Sequence, residues 1–149
     1  MANPVEQVEI LLVEDNPTDA ELCIRALKKH NLANKLVWVK DGAEALDFLY
    51  RRGAYTCPEQ APRPGLVLLD MKLPKVDGHE VLRQIKADLT LRSIPVVMLT
   101  TSDLSDDVDL CYQAGANSFV TKPVSFQEFV KTIESVEVYW VLTNRRSEA

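Results

Sequence analysis

Four segments of this chain place reactive side chains directly after an apolar or β-prone run. They are Glu14-Asp15 after Val8 to Val13, Asp70 after Gly65 to Leu69, Thr100-Thr101 after Val96 to Leu99, and Lys122 after Ser118 to Thr121. Taken singly, a carboxylate at such a place is more often a solvated residue or a helix cap than a reactive group. Brought to one edge, the set has a definite chemistry. Carboxylates ~5 Å apart at an effective dielectric near 20 repel by about 3 kcal/mol per pair, so the cluster asks for a cation. Its ligands are hard oxygens, too few to encage Ca²⁺, which points to Mg²⁺ with several retained waters. Thr100 offers a hydroxyl donor and Lys122 a mobile point charge, and both suit a phosphoryl group beside the metal. A carboxylate can be the nucleophile of phosphoryl transfer and become an acyl phosphate. Asp70 is the candidate, because it stands centrally while the other acids flank it.

The elements that must position these groups are legible along the chain. Gly65-Leu66-Val67-Leu68-Leu69-Asp70 has no polar alternation, as expected of a strand buried on both faces. Val8 to Val13, Leu36 to Val39, Val96 to Leu99 and Ser118 to Thr121 read as four more strands. Asn16-Pro17-Thr18-Asp19 opens a helix, with Asn16 as N-cap and Pro17 where a missing N–H costs nothing; Leu22, Ala26 and Leu27 supply its buried stripe. Asp41-Gly42-Ala43-Glu44 has the spacing of a capping box and predicts a helix through about Arg51. Val81, Leu82 and Ile85 share one face of a helix after Asp77-Gly78. A fourth helix lies within Asp103 to Ala114, stopped by Gly115, and a fifth begins at the capping box Ser125-Phe126-Gln127-Glu128.

Five alternations of strand and helix predict an α/β fold. The arrangement expected is flavodoxin-like, a doubly wound parallel sheet of five strands in the order 2-1-3-4-5. In that order the first and third strands are neighbours at the switch point, so Glu14, Asp15 and Asp70 converge at the carboxyl edge. Residues 52 to 64, with Gly53, Pro58, Pro62 and Pro64, read as a surface loop without periodicity.

With 149 residues, 46% hydrophobic and 26% charged, the chain has the makings of one globular domain over about residues 8–143, with short tails. A net charge of −5 gives no diffuse attraction to nucleic acid or to an anionic membrane. No apolar segment approaches the ~20 residues of a membrane span, and Met1-Ala2-Asn3-Pro4 lacks a signal-peptide layout, so a cytoplasmic location is expected. Cys23, Cys57 and Cys111 are too far apart in sequence to suggest a disulfide framework or a metal cluster.

Val13-Glu14-Asp15-Asn16, Asp70-Met71-Lys72-Leu73-Pro74-Lys75-Val76-Asp77-Gly78, the strand-ending Thr100 and the pair Lys122-Pro123 together resemble the receiver domains of two-component response regulators. The resemblance implies that Asp70 is the phosphoacceptor and that Glu14 and Asp15 are the acid pair for Mg²⁺, one directly and one through water. It implies that Lys72 lends its backbone carbonyl to the metal, that Thr100 is the switch hydroxyl, and that Lys122 pairs with the phosphoryl group. Phe119 matches the family's switch aromatic. It also implies a histidine kinase as phosphodonor and a responsive face made of helix four, strand five and helix five. Glu14-Asp15-Asn16-Pro17, Asp19-Ala20-Glu21-Leu22, the long 52–64 loop and the aromatic C-terminal helix further resemble the single-domain regulators that serve cyanobacterial phytochrome kinases.

An aspartyl-nucleophile phosphatase shares the acyl-phosphate chemistry, but it needs an acid two residues after the nucleophile, where this chain has Lys72. A flavodoxin-like cofactor carrier needs a phosphate-cradling loop after the first strand, where this chain has Asn16-Pro17. Phe126, Phe129, Val130, Ile133 and Val136 trace one core stripe on the last helix. Val138, Tyr139, Trp140, Val141 and Leu142 follow almost without polar relief, more than one face can bury, and predict a homodimer interface.

Overall fold

The computed structural model describes residues 9–29, 35–57, 61, 63–100, 112–121, 127–128, 130–132 and 135. Runs rich in Val, Leu and Ile form the strands β1 (Glu9–Val13), β2 (Lys35–Val39), β3 (Leu66–Asp70), β4 (Val96–Thr100) and β5 (Ser118–Thr121). They pair in parallel in the order β2-β1-β3-β4-β5, the order expected of a flavodoxin-like sheet. Every residue of β3 and of β4 is buried, which is why neither sequence alternates.

Side chains of successive strand residues go to opposite faces. Leu11, Val13, Val67, Leu69, Val96 and Met98 meet the helices α2 (Gly42–Tyr50) and α3 (Gly78–Ala87) on one side. Ile10, Leu12, Leu66, Leu68, Val97 and Leu99 meet α1 (Pro17–Lys29) and Val130 on the other.

The helix starts follow their capping chemistry. Asn16 Oδ1 accepts from the Thr18 and Asp19 amides at 2.9 and 3.2 Å. Asp41 Oδ1 accepts from the Glu44 amide at 2.7 Å, while Glu44 reaches back to the Lys40 amide at 3.1 Å. In α1, Ala20, Cys23, Ala26 and Leu27 are the buried residues, so Ala26 and Leu27 face the core as expected while Leu22 is only half-buried and Cys23 takes its place. α2 ends at Tyr50, and Arg51 is its cap in the left-handed conformation with φ 54°.

The 52–64 segment is less loop-like than its composition suggests. It contains a 3-10 turn at Gly53–Tyr55 and buries Ala61 in the core. It is tied to α2 from several directions: Arg51 Nε donates to the Ala61 carbonyl at 3.0 Å, the Arg63 guanidinium to the Leu49 carbonyl, and the Tyr55 hydroxyl to Glu44 at 2.7 Å. The Tyr55 ring also stands edge-on to Phe48, 5.3 Å between centroids. Burial and the adjoining Glu44 carboxylate push the Tyr55 hydroxyl up to about 12.

Of the two later helices, Tyr112 and Gln113 are helical, followed by the turn at Gly115, whose φ of 106° fits the predicted stop. The rest of the predicted fourth helix, and Phe126, Phe129, Ile133, Val136 and Val138 to Leu142 of the predicted fifth, lie outside the described residues. No helix among the described residues is long and apolar enough to cross a membrane.

Candidate functional site

Strand register assembles the site. Val13 pairs with Leu69 at the end of the β1·β3 ladder, so Glu14 and Asp70 leave the sheet side by side. Asp70 pairs with Leu99, which brings Thr100 one step further along, and Thr100 pairs with Thr121. The carboxylate oxygens of Glu14, Asp15 and Asp70 come within 4.8 Å of one another. Glu14 is fully buried, Asp70 is 7% exposed, and Asp15 faces solvent.

Three ionised carboxylates at that separation repel by about 3 kcal/mol per pair at an effective dielectric near 20. Lost hydration of the two buried members strengthens the demand for a counter-charge. A donor set of carboxylate oxygens, one of them open to water, fits a small hard dication such as Mg²⁺ that keeps part of its hydration shell. Among the described residues this is the one such group of three metal-ligating side chains.

The backbone around the acids is held from two sides. The Glu14 amide donates to the Val39 carbonyl at 3.1 Å, and the Glu14 carbonyl accepts from the Trp38 indole at 2.8 Å. After Asp70, the Met71 amide donates to the Leu99 carbonyl at 2.9 Å, and the Gly78 amide closes the loop onto the Met71 carbonyl at 2.9 Å. Gly78 is required by close approach: a Cβ there would stand 2.0 Å from the Asp70 carbonyl oxygen.

The same loop is clasped to the start of α2. The Gly42 amide donates to the Pro74 carbonyl at 3.3 Å, and Lys75 Nζ lies 3.5 Å from Asp41. Lys75 adopts a φ of 69°, an unusual conformation for a side-chain-bearing residue. Lys72 is on this loop with its side chain exposed.

Thr100 is 2% exposed, and its hydroxyl donates to Met71 Sδ at 3.7 Å, a weak acceptor. Phe119 pairs across the ladder with Met98, is half-buried against the core, and tilts against Tyr112 with 4.9 Å between ring centroids. Glu14, Asp15 and Asp70 thus come together, and Thr100 ends the adjacent strand. Lys122 and Val138, Tyr139, Trp140, Val141 and Leu142 lie outside the described residues. Sequence reasoning missed Trp38 and Met71. An indole on a short strand, whose N–H must find a partner when part-buried, was the available signal for Trp38.

A profile of the response regulator receiver domain matches residues 10–134. The probable methanogenesis regulatory protein FilR2 of Methanothrix harundinacea is 45% identical over 91% of this chain and 85% of its own. The response regulator Rcp1 of Synechocystis is 42% identical over 90% of this chain and 89% of its own.

Among solved structures, the Mn²⁺-bound form of Rcp1 superposes with a TM-score of 0.76 at 41% identity, covering 90% of this chain and 94% of that one. The phosphorylated cyanobacterial phytochrome response regulator RcpA gives 0.78 at 40% identity, covering 92% and 96%. The bacteriophytochrome response regulator AtBRR gives 0.76 at 51% identity, covering 91% and 96%.

Proposed function

This chain belongs to the response regulator receiver domain family, and we propose that within it Asp70 accepts a phosphoryl group from the phosphohistidine of a histidine kinase. The observation that carries the proposal is the convergence of Glu14, Asp15 and Asp70, with oxygens within 4.8 Å, at the carboxyl edge of the sheet. Residues from about 8 to 143 act as one signalling domain. It carries out phosphotransfer without turning over a separate substrate, apart from hydrolysis of its own acyl phosphate.

An Asp70 carboxylate oxygen attacks phosphorus in line. The P–N bond breaks, its electron pair stays on the imidazole nitrogen, which takes up a proton, and the new P–O bond makes an acyl phosphate. Glu14 and Asp15, with Asp70 and the Lys72 carbonyl, would hold Mg²⁺, which would supply positive charge to offset the negative charge gathered at the transferring group. The Lys122 ammonium pairs with a phosphoryl oxygen.

Thr100 donates its hydroxyl to another phosphoryl oxygen. To do so it gives up its 3.7 Å bond to thioether sulfur, a weak acceptor, and gains a charge-assisted contact. Phe119 turns inward as Thr100 moves, and the face made by helix four, β5 and helix five shifts its pre-existing equilibrium. A full swing from 1:99 to 99:1 needs about 5.5 kcal/mol, of which two short charge-assisted contacts supply much.

Similarity to RcpA and AtBRR supports a phytochrome-type light-sensing kinase as the donor. The apolar run Val138, Tyr139, Trp140, Val141 and Leu142 supports a homodimer through the C-terminal helix. The setting is cytoplasmic, without direct contact to nucleic acid or membrane. Incubation with a radiolabelled phytochrome-type kinase and Mg²⁺ tests the pairing: label passes to the wild type and not to Asp70→Asn. Label retained on the kinase in both would reject that donor. Sedimentation of both phosphorylation states tests assembly, and a monomer in each at tens of micromolar rejects the dimer.

A further inference from the structure

We propose that Trp38 is a positioning residue for the acid pair: its indole N–H, 2.8 Å from the Glu14 carbonyl, fixes the turn that presents Glu14 and Asp15 to a divalent cation. The inference rests on the metal-binding reading of the acidic cluster given above. β2 is an edge strand whose one neighbour in the sheet is β1, and its ladder ends with the pair Val13 and Val39. Beyond that pair two further bonds reach across. The Glu14 amide donates to the Val39 carbonyl at 3.1 Å, and the Glu14 carbonyl accepts from Trp38. Both peptide groups of Glu14 are therefore held from β2, one by backbone and one by a side chain.

The indole is itself held. Trp38 is half-buried and, like Ile24 and Leu36, packs against the core layer that includes Ile10, Leu12 and Cys23, and Lys40 Nζ lies 5.3 Å from the ring centroid. A phenyl or aliphatic side chain would fill much of the same space, so the informative part is the polar tip. It is spent on the carbonyl of a metal-site acid, rather than on solvent.

The turn that follows has reason to need a tie. Glu14 and Asp15 are consecutive, and their carboxylate oxygens lie within 4.8 Å of each other and of Asp70, so mutual repulsion acts to splay them in the metal-free protein. Three further bonds set the turn: the Asn16 amide donates to Glu14 Oε2 at 3.4 Å, and Asn16 Oδ1 caps α1 by accepting from the Thr18 and Asp19 amides. Without the indole, the Glu14 carbonyl loses its side-chain anchor, and the acid pair must be organised by the ion on arrival. The cost appears as weaker metal binding, as for other groups that orient metal ligands.

The chain has two tryptophans, Trp38 and Trp140, so Trp140→Phe leaves Trp38 as the sole indole. Mn²⁺ affinity, read from free Mn²⁺ by electron paramagnetic resonance, is expected to fall about fivefold in Trp38→Phe, the effect of one net hydrogen bond. Its circular dichroism should stay that of the wild type. In Trp140→Phe, the indole N–H resonance of Trp38 should shift as Mg²⁺ is added and stop shifting at saturation. Equal Mn²⁺ affinity in the wild type and a folded Trp38→Phe, or an indole resonance indifferent to Mg²⁺, overturns the positioning role and leaves the metal site intact. Should Trp38→Phe not fold, the indole titration decides. Failure of the wild type to bind Mn²⁺ at all overturns the metal reading, and this inference with it.

Discussion

Replacing Gly78 by alanine tests how the loop after the nucleophile is held. A Cβ at position 78 would lie 2.0 Å from the Asp70 carbonyl oxygen, 2.8 Å from the Met71 carbonyl oxygen and 2.9 Å from the Met71 Cα. All three are backbone atoms, so no rotamer change can relieve the clash. Reaching even 3.0 Å from the Asp70 oxygen demands a relative displacement of about 1 Å, between the start of α3 and the end of β3. The start of α3 is anchored by the bond from the Gly78 amide to the Met71 carbonyl and by burial of Val81 and Leu82. The displacement therefore falls partly on Asp70 itself. Misplacing a reacting group by about 1 Å can cost on the order of a hundredfold in rate, while overpacking of this kind costs about 1–3 kcal/mol of stability. Phosphorylation by phosphoramidate with Mg²⁺, followed by intact mass over time, gives the rate, and urea unfolding gives the stability. Gly78→Ala should stay folded and phosphorylate at least about tenfold more slowly. A folded variant that phosphorylates at the wild-type rate would refute the claim that Gly78 sets the position of Asp70.

Three further substitutions probe parts of the same framework. Asp41→Ala removes the side-chain acceptor for the Glu44 amide at the start of α2 and should cost about 1 kcal/mol in urea unfolding; no loss would mean that the cap is idle. Lys75→Gly relieves a φ of 69° and gives up an ion pair whose lysine is 69% exposed, so stability should rise by about 0.5–1 kcal/mol, and a fall would show that the ion pair dominates. Lys86 donates to the carbonyls of Arg92 and Ile94 at 3.1 and 2.8 Å, and burial lowers its ammonium from 10.5 to about 8. Between those values the unfolded chain holds the extra proton, so this lysine makes stability rise with pH across that window, whereas below it both states are protonated and no slope remains. Urea midpoints measured on either side of about pH 8 should therefore climb more in the wild type than in Lys86→Met; parallel profiles would remove Lys86 as the cause.

What could be read in the sequence was whatever local chemistry determines. The unbroken apolar run ending at Asp70 announced a strand buried on both faces, and all five of its residues from Leu66 are buried. Asn16 and Asp41 announced helix starts because a cap acts within three residues, and both accept the bonds they promised. Alternation of elements sufficed for a parallel sheet, and the flavodoxin-like strand order expected of it brings Glu14 next to Asp70.

What escaped was set by contacts remote in sequence. Cys23 rather than Leu22 faces the core, a difference of one position round α1 that periodicity does not resolve. The 52–64 segment carries no periodic signal, because side-chain bonds from Arg51, Tyr55 and Arg63 hold it rather than a repeating backbone ladder. Gly42 looked like the second residue of a capping box. Its tighter constraint is the Val76 carbonyl oxygen, which a Cβ would meet at 1.9 Å. The partner of Trp38 was out of reach for the same reason, since it is the carbonyl of a residue 24 positions away.

The central claim is that Asp70 is the phosphoacceptor and that the acids beside it bind the metal that transfer requires. Its most direct test is intact mass after incubation with phosphoramidate and Mg²⁺. The wild type should gain one adduct of about 80 Da, the mass of a single phosphoryl group on an aspartyl nucleophile. The gain should be absent from Asp70→Asn and from wild type treated with excess chelator. No adduct on the wild type, or an undiminished one on Asp70→Asn, would contradict the account.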